Sequence, residues 1–423
     1  MISFFDLAAL LLTLSALFGW LNRRFLRMPH TIGLLVMGLL ASLALVGLDV
    51  VFPAQHLYQD LTRVLGQVDF TDVVMNGMLA FLLFAGAMSL DLRALRDRAG
   101  AVATLALVGT LISTAIVGGA FWFAADLLGQ PIPLAWALVF GALISPTDPV
   151  AVLATLKNVR VPEALEVEMQ GEALFNDGIG IVLFTVLVAF ASGSGGEATS
   201  AGGVTRLLLQ EAGGGLVLGV VTGYVAYRAM RAIDDFPVEV LITLALVAGT
   251  YALAQKLHFS GPLAVVAAGM LVGDRAPRDA MSDETQGYVE SLWTLIDEVL
   301  NSVLFLLIGL EVLVLRFEVG GLVLAACAVP IVLLARLVAV STPLLAFRWG
   351  GNLSPRNVPF LTWAGVRGGI SVALALSVPA SDAKPAILAA TYAVVLFTIV
   401  VQGSTLGLVA RRTLGSPPHR QAA

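Results

Sequence analysis

The chain has few charged residues and almost no cysteine. Only 13% of its 423 residues are Asp, Glu, Lys or Arg, whereas a soluble domain carries about 25%. The single cysteine, Cys327, excludes an internal disulfide. The net charge of −5 says little about partners, but the sequence has no basic patch for nucleic acid. The residues also supply no metal-ligand cluster, nucleotide-binding loop or catalytic triad, so we expect neither an enzyme nor a cofactor.

Long apolar runs dominate the sequence instead. Hydrophobic residues make up 58% of the chain, and the mean hydropathy is +0.92. At about 20 apolar residues for each span, the runs predict an all-α polytopic membrane protein with 13 transmembrane helices. The predicted spans are 3–22, 31–51, 70–90, 99–126, 132–156, 163–193, 204–228, 236–256, 260–274, 288–315, 319–347, 357–380 and 385–410. No basic residue precedes the first run, which therefore reads as a retained span and not as a cleaved signal peptide.

The basic residues predict how the chain is oriented in the membrane. Of the 24 Lys and Arg residues, seventeen fall in loops after odd-numbered spans and five in loops after even-numbered spans. Positive charge is enriched in cytoplasmic loops, so we expect an outside N-terminus and a cytoplasmic C-terminus. A short tail without targeting signals favours a multi-pass protein of a bacterial inner (cell) membrane.

The fifth predicted span carries Pro146-Thr147-Asp148-Pro149 at its centre. Proline lacks an N–H group and disrupts the preceding helical turn, so this span should be broken. Asp148 followed by Pro149 is typical of an N-cap and the first residue of a helix. Asp148 could also contribute to a cation site, and the two roles are compatible because a broken helix at this depth lines a cavity or lies buried.

The twelfth predicted span contains a second interruption, Gly365-Val366-Arg367-Gly368-Gly369. Two interrupted spans in the two halves of a transporter indicate an inverted repeat with a binding site near the middle of the membrane. Arg367 could face the negative ends of the half-helices, face nearby carboxylates, or only brace the break.

The sixth predicted span contains two acidic residues within Gly171–Gly178. Glu172 and Asp177 are about 7.5 Å apart along the axis at about 1.5 Å per residue, and they point in different directions. One can therefore be paired while the other stays open to an ion. Arg336, alone in the eleventh span, is the expected partner of Glu172.

The charges within the spans leave one carboxylate in excess. Asp148, Glu172 and Asp177 are negative, and Arg336 and Arg367 are positive. A bare charge in a medium of low dielectric constant is costly, so the excess carboxylate must hold a proton or a monovalent cation. We expect Asp177 to be that residue, which predicts exchange of one proton for one cation without net movement of charge.

Three further acidic residues lie near the ends of the tenth span. Asp297 and Glu298 are predicted near its cytoplasmic start and Glu311 near its outer end. We expect these to be funnel or interface residues. Gly215, Gly219 and Gly223 recur every four residues in the seventh span, a spacing that favours close helix packing.

Taken together, these residues resemble the NhaP/NHE-type cation/proton antiporters of the monovalent cation:proton antiporter-1 family. The resemblance covers nearly the whole chain. Its motifs are Phe84–Arg96, Gly141–Val152, Gly171–Phe184, Leu304–Glu311 and Gly365–Leu374.

The resemblance implies an architecture and a site. The fold would be NhaA-like, a single unit over 1–412 with inverted repeats, two broken crossing helices and a short cytoplasmic tail over 413–423. A mobile core would comprise about 99–193 and 319–410, a dimerisation scaffold about 1–90 and 236–315, and a linker helix about 204–228, with a homodimer as the assembly. Asp177 would bind the cation (as the transported metal ion) and the proton, with Asn176 as its companion.

By the same resemblance, Thr147 and Asp148 would line the crossing, and Glu172 would pair with Arg336. An Asn-Asp pair is similar to the electroneutral branch of the family. Some sodium-transporting relatives have serine where this chain has Ala173 and glutamate where it has Ala85. Water or backbone carbonyls would then complete the shell of the ion.

The sequence therefore predicts a secondary antiporter that exchanges Na+, with K+ and Li+ as alternatives, for H+ by alternating access. Two other functions stay open at this point. A cation channel would need a continuous polar path, and no predicted span has a regular polar stripe. A symporter of a small organic ion could use a similar fold, but it would have less need of a spare buried acid.

Overall fold

The structure is a computed structural model, and it describes residues 4–51, 70–156, 161–193, 206, 209–312, 319–346 and 357–414. All regular structure in these ranges is helical, with short π-helical turns and no strands. The predicted tail lies outside the described residues from position 415 onward.

We number the main helices in chain order. They are α1 (Phe4–Leu21), α2 (His30–Val51), α3 (Phe70–Met88), α4 (Leu92–Leu127), α5 (Leu134–Ile144), α6 (Pro149–Leu156), α7 (Glu163–Ala191), α8 (Gly214–Met230), α9 (Phe236–Lys256), α10 (Gly261–Asp279), α11 (Asp283–Glu311), α12 (Val319–Ala346), α13 (Val358–Trp363), α14 (Gly369–Ser377) and α15 (Lys384–Thr413).

Helices occupy every interval predicted as a span. Within the described residues, eight of them are long and apolar enough to cross a membrane. The all-helical class and the apolar helices agree with the sequence analysis. The count of thirteen crossings stays a prediction.

Several helices extend beyond the apolar runs that predicted them. The fourth span was predicted from residue 99, but α4 begins at Leu92, where the Asp91 side chain accepts hydrogen bonds from the backbone N–H groups of Arg93 (2.7 Å) and Ala94 (3.2 Å). Arginines assigned to a loop therefore lie on the first turns of a helix. Hydropathy detects only the apolar part of a helix, whereas a capping residue starts it earlier.

Helices α10 and α11 also extend beyond the apolar runs that predicted them. Helix α10 continues to Asp279, and α11 starts at Asp283 behind the cap of Ser282, whose hydroxyl accepts from the Thr285 N–H. Asp297 was predicted near the start of its span. Because α11 begins before that span, Asp297 lies about 21 Å along the helix, at about 1.5 Å per residue.

The glycine stripe of α8 packs against α10. A Cβ atom on Gly215 would lie 2.6 Å from the Ser260 carbonyl oxygen, and one on Gly223 would lie 3.0 Å from the Ala268 Cα atom. The first distance is too short for a side chain and the second is tighter than most real contacts, so small residues let the two backbones approach closely.

Two apolar clusters fill the interior. One joins α3, α9 and α10, with Leu83 and Val265 among its buried members. The other joins α5, α12, α14 and α15, and it also takes in Ile32 of α2 and Leu304 of α11. The functional cavity described below lies at their boundary, because Leu83 and Leu304 both line it.

Candidate ion-binding site

The predicted break of the fifth span separates α5 from α6. Helix α5 ends at Ile144, and α6 begins with Pro149. The carboxylate of Asp148 accepts a hydrogen bond from the Val150 N–H at 2.8 Å. Since proline cannot donate at the first helical position, this carboxylate satisfies the next exposed N–H group and caps α6.

The second break, between α13 and α14, lies directly against the first. The backbone N–H of Asp148 donates to the Val366 carbonyl at 2.8 Å. A Cβ atom on Gly368 would lie 2.7 Å from the Asp148 Cγ atom, so only glycine fits beside this carboxyl group. The glycines of the second interruption thus let the two chain segments meet.

Arg367 lies between the two breaks and is 1% exposed. Its Nη1 donates to the carbonyl of Ser145 and to that of Pro146 (2.9 Å), and its backbone N–H donates to the Thr398 hydroxyl at 3.1 Å. The guanidinium therefore lies at the carbonyl end of α5, which is the negative end of that half-helix.

Glu172 and Arg336 form a buried ion pair between α7 and α12. Arg336 Nη2 donates to Glu172 Oε2 at 2.9 Å, and Nη1 contacts Oε1. The Glu172 side chain is 2% exposed. Such two-point pairing satisfies both carboxylate oxygens, and it keeps Glu172 from acting as an open ion ligand.

Asn176 links α7 to the first break. Its Nδ2 donates to the Thr147 hydroxyl at 3.0 Å, and its Oδ1 accepts from the Thr147 N–H at 3.4 Å. This amide therefore positions the break next to Asp177. The Thr147 oxygen keeps one lone pair for another partner.

Asp177 lies midway along α7 and lines a cavity of about 160 Å³. It is 7% exposed, and among the described residues it takes part in no hydrogen bond or ion pair. Asp148 and Thr147 line the same cavity. The cavity has room for about five water molecules at about 30 Å³ each.

Five other polar residues line this cavity: Ser89, Gln170, Asp297, Asn301 and Ser371. The sequence analysis did not single out Asn301 or Ser371. A signal for Asn301 was available, because it stands four residues after Asp297 and so shares its helix face. The sequence signal for Ser371 was weaker: it is a hydroxyl residue in the first helical turn after a glycine-rich break.

A second cavity, which we call the vestibule, has a volume of about 740 Å³. It is formed by the end of α3, the start of α4, the end of α10 and the first half of α11. Its ionisable lining residues are Asp91, Arg93, Asp274, Arg278, Glu290 and Asp297. It shares three lining residues with the smaller cavity, so the two adjoin.

This arrangement brings three carboxylates, those of Asp148, Asp177 and Asp297, together with hydroxyl groups to one small cavity. Oxygen atoms can replace the hydration shell of an alkali cation, and a carboxylate can alternatively take a proton. The guanidiniums of Arg336 and Arg367 are engaged by Glu172 and by backbone carbonyls. The site is therefore suited to a cation and not to an anion.

Comparisons with known proteins identify relatives of this chain. Residues 12–412 match the family model described as "Sodium/hydrogen exchanger, transmembrane". The chain is 42% identical over 421 residues to the Na(+)/H(+) antiporter NhaP of Pseudomonas aeruginosa, covering 98% of each protein. It is 36% identical over 369 residues to the Na(+)/H(+) antiporter NhaH of Halobacillus dabanensis, covering 86% of this chain and 89% of the relative.

The fold is similar to a solved structure, that of the sodium proton antiporter MjNhaP1 from Methanocaldococcus jannaschii. The TM-score is 0.71 at 21% identity, and the match covers 96% of this chain and 98% of the other. The family model and the curated relatives each extend over most of the sequence, as the predicted resemblance required. The chain belongs to the transmembrane sodium/hydrogen exchanger family.

Proposed function

We propose that this chain exchanges a monovalent cation, Na+ in preference to K+ or Li+, for H+ across the membrane. The observation that carries the proposal is Asp177, a carboxylate that lines a small buried cavity without an ion pair among the described residues. Related proteins named Na(+)/H(+) antiporters support exchange over the channel and symport alternatives.

The stoichiometry follows from the charge of the site. An empty, ionised Asp177 in a medium of low dielectric constant is costly, so the carboxyl group is neutralised either by a proton or by a cation. The two ligands compete for one group. Each transport cycle then carries one cation one way and one proton the other, which makes the exchange electroneutral.

The breaks provide a means for the site to change its access. Asn176, Thr147 and Asp148 join α7 to both interrupted helices through the contacts described above. We assign these helices to the mobile core of 99–193 and 319–410, which moves against the scaffold of 1–90 and 236–315 with 204–228 as the linker helix. Arg93 and Arg278 line the vestibule. With the positive-inside orientation, this conformation opens to the cytoplasm.

The proposed architecture is an NhaA-like inverted repeat with thirteen spans, in which the contact between the two breaks forms the crossing. A homodimer completes the proposed assembly, which cross-linking in the membrane can test. Ala173 and Ala85 contribute no side-chain oxygen, so water and backbone carbonyls would complete the shell of the ion.

The test is exchange by the purified chain in proteoliposomes. The pH of the lumen is followed with a dye while Na+, K+ and Li+ are added in turn. Asp177→Asn removes the titratable group but keeps its shape, so it should abolish exchange of every cation that the wild type carries. Asp126→Asn, at the exposed end of α4, removes a carboxylate elsewhere and should leave exchange unchanged.

Two results would contradict the proposal. Cation-dependent proton flux that persists in Asp177→Asn would remove that residue from the mechanism. An exchange rate that changes steeply with an imposed membrane potential would exclude an electroneutral cycle.

A further inference from the structure

The small cavity and the vestibule meet at three residues, Gly86, Ser89 and Asp297, which line both of them. We call this set the neck. Gly86 and Ser89 belong to the end of α3 and the residue that follows it, and Asp297 comes from the middle of α11. A cation that moves from the vestibule to Asp177 passes between these two helices.

Only one member of the neck carries a charge. The Ser89 hydroxyl donates to the Gly86 carbonyl at 2.9 Å, so its proton is already hydrogen-bonded to the last turn of α3. Asp297 Oδ1 accepts from Asn301 Nδ2 at 3.0 Å, and the same amide also donates to the Asp297 carbonyl oxygen at 2.9 Å. Asn301 thus fixes the rotamer of the acid, and Asn301 itself is buried.

The charges on either side of the neck form a path for a cation. Four carboxylates and two guanidiniums line the vestibule, and one guanidinium, that of Arg278, contacts Asp274. Beyond the neck lie Asp148 and Asp177. Carboxylates outnumber guanidiniums along this path, and an excess of one sign of charge within walls of low dielectric constant raises the local concentration of counter-ions. Asp297 extends this attraction from the vestibule into the cavity.

We propose that Asp297 is a loading residue, which receives the cation at the neck and passes it to Asp177. Asn301 is its positioning residue. Asp297 does not hold the ion during transport, so its charge affects how readily the site fills and not how fast the loaded site turns over. The inference rests on the proposed exchange function.

The test measures the initial rate of exchange against Na+ concentration in everted membrane vesicles, whose cytoplasmic face is outward. Asp297→Asn keeps the size of the side chain and an oxygen that can accept from Asn301. It should raise KM for Na+ about tenfold, the lower end of the concentrating effect of a charged cleft, and leave the maximal rate near that of the wild type. Inert choline chloride should reduce the difference in KM, because it screens the charge.

Two variants separate charge from folding. Glu298→Gln removes the same charge one position along α11, from an exposed residue that lines neither cavity, and should leave KM unchanged. Asp297→Glu restores the charge and should return KM toward the wild-type value.

A third variant tests the positioning role of Asn301. Asn301→Ala should raise KM less than Asp297→Asn does, because the charge of Asp297 stays but its position is no longer fixed.

The outcomes distinguish this inference from the proposed function. If the wild type shows no exchange, the proposed function fails. If the wild type exchanges and Asp297→Asn has an unchanged KM, only the loading role fails. A lower maximal rate at constant KM would also overturn it, because that result would place Asp297 in turnover or in folding.

Discussion

Replacing Arg336 with alanine should lower the free energy of unfolding by about 3–5 kcal/mol, the usual cost of breaking a buried ion pair. Arg336 donates to both oxygens of Glu172, whose side chain is 2% exposed. Without Arg336, that carboxylate either stays charged in a medium of low dielectric constant or takes up a proton. Both outcomes disfavour the folded state.

The position of Arg336 makes the upper part of that range the expected one. The side chain joins α12 to α7, and it also passes close to the second break, because a Cβ atom on Gly365 would lie 2.8 Å from Arg336 Nε. Truncation to alanine therefore removes packing at the crossing as well as charge.

A surface pair provides the matched control. Arg278 contacts Asp274 one helical turn away, and its side chain is 44% exposed. Exposed pairs of this kind contribute about 0.3–0.5 kcal/mol. Arg278→Ala should therefore have an unfolding temperature close to that of the wild type, whereas Arg336→Ala should unfold at a clearly lower temperature.

The assay is thermal unfolding of the purified variants in detergent, followed by tryptophan fluorescence, together with the yield of folded protein. Glu172→Gln combined with Arg336→Ala should recover part of the loss, because no charge is then left buried. The double-mutant cycle gives the coupling energy of the pair. Arg336→Ala protein with wild-type yield and wild-type unfolding temperature would refute the reasoning.

Two further predictions concern capping carboxylates. Asp148→Asn should reduce exchange turnover at least about tenfold, because it removes charge from the cavity. Its melting temperature should stay near that of the wild type, because asparagine also caps a helix. Full turnover in this variant would contradict a role of Asp148 at the site. Backbone N–H groups of Ala94 and Arg93 lower the pKa of Asp91 below its usual value. Its stabilising effect is therefore complete above the unfolded-state pKa of about 3.9 and is lost as pH falls through the lower folded-state pKa. The melting difference between wild type and Asp91→Ala should accordingly be constant near neutral pH and shrink in strong acid, and a difference that grew on acidification would refute it.

The sequence was sufficient for the helical class and for the two breaks, because both depend on local chemistry. Apolar runs predict helices in a bilayer. Pro146 and Pro149, two prolines three residues apart, predict an interruption because each lacks the N–H group that a helix interior needs. The helix ends were less predictable. Asp91 and Ser282 start α4 and α11 outside the apolar runs, so hydropathy alone placed both starts too late.

The charged residues within the spans could be named from the sequence, since each is costly in a bilayer and must have a reason to be there. The sequence also predicted the Glu172–Arg336 pair, but the partners of Arg367 required the tertiary structure. Arg367 could have faced carboxylates or half-helix ends, and it lies on the carbonyls of Ser145 and Pro146. No spacing rule relates position 367 to position 145, because the contact depends on how two distant helices cross.

The neck illustrates the same division. Asp297 is an ordinary acidic residue in the sequence, predicted near the start of a span as a funnel or interface residue. Its importance comes from the meeting of α3 and α11 at the boundary of two cavities. The sequence by itself determined which residues are too polar for the membrane and where helices must break, since those are properties of single residues and their neighbours. Only the tertiary structure decided how these charges are arranged, with Glu172 paired to Arg336 and Asp177 at the wall of a cavity, because such contacts depend on distances between segments far apart in the chain.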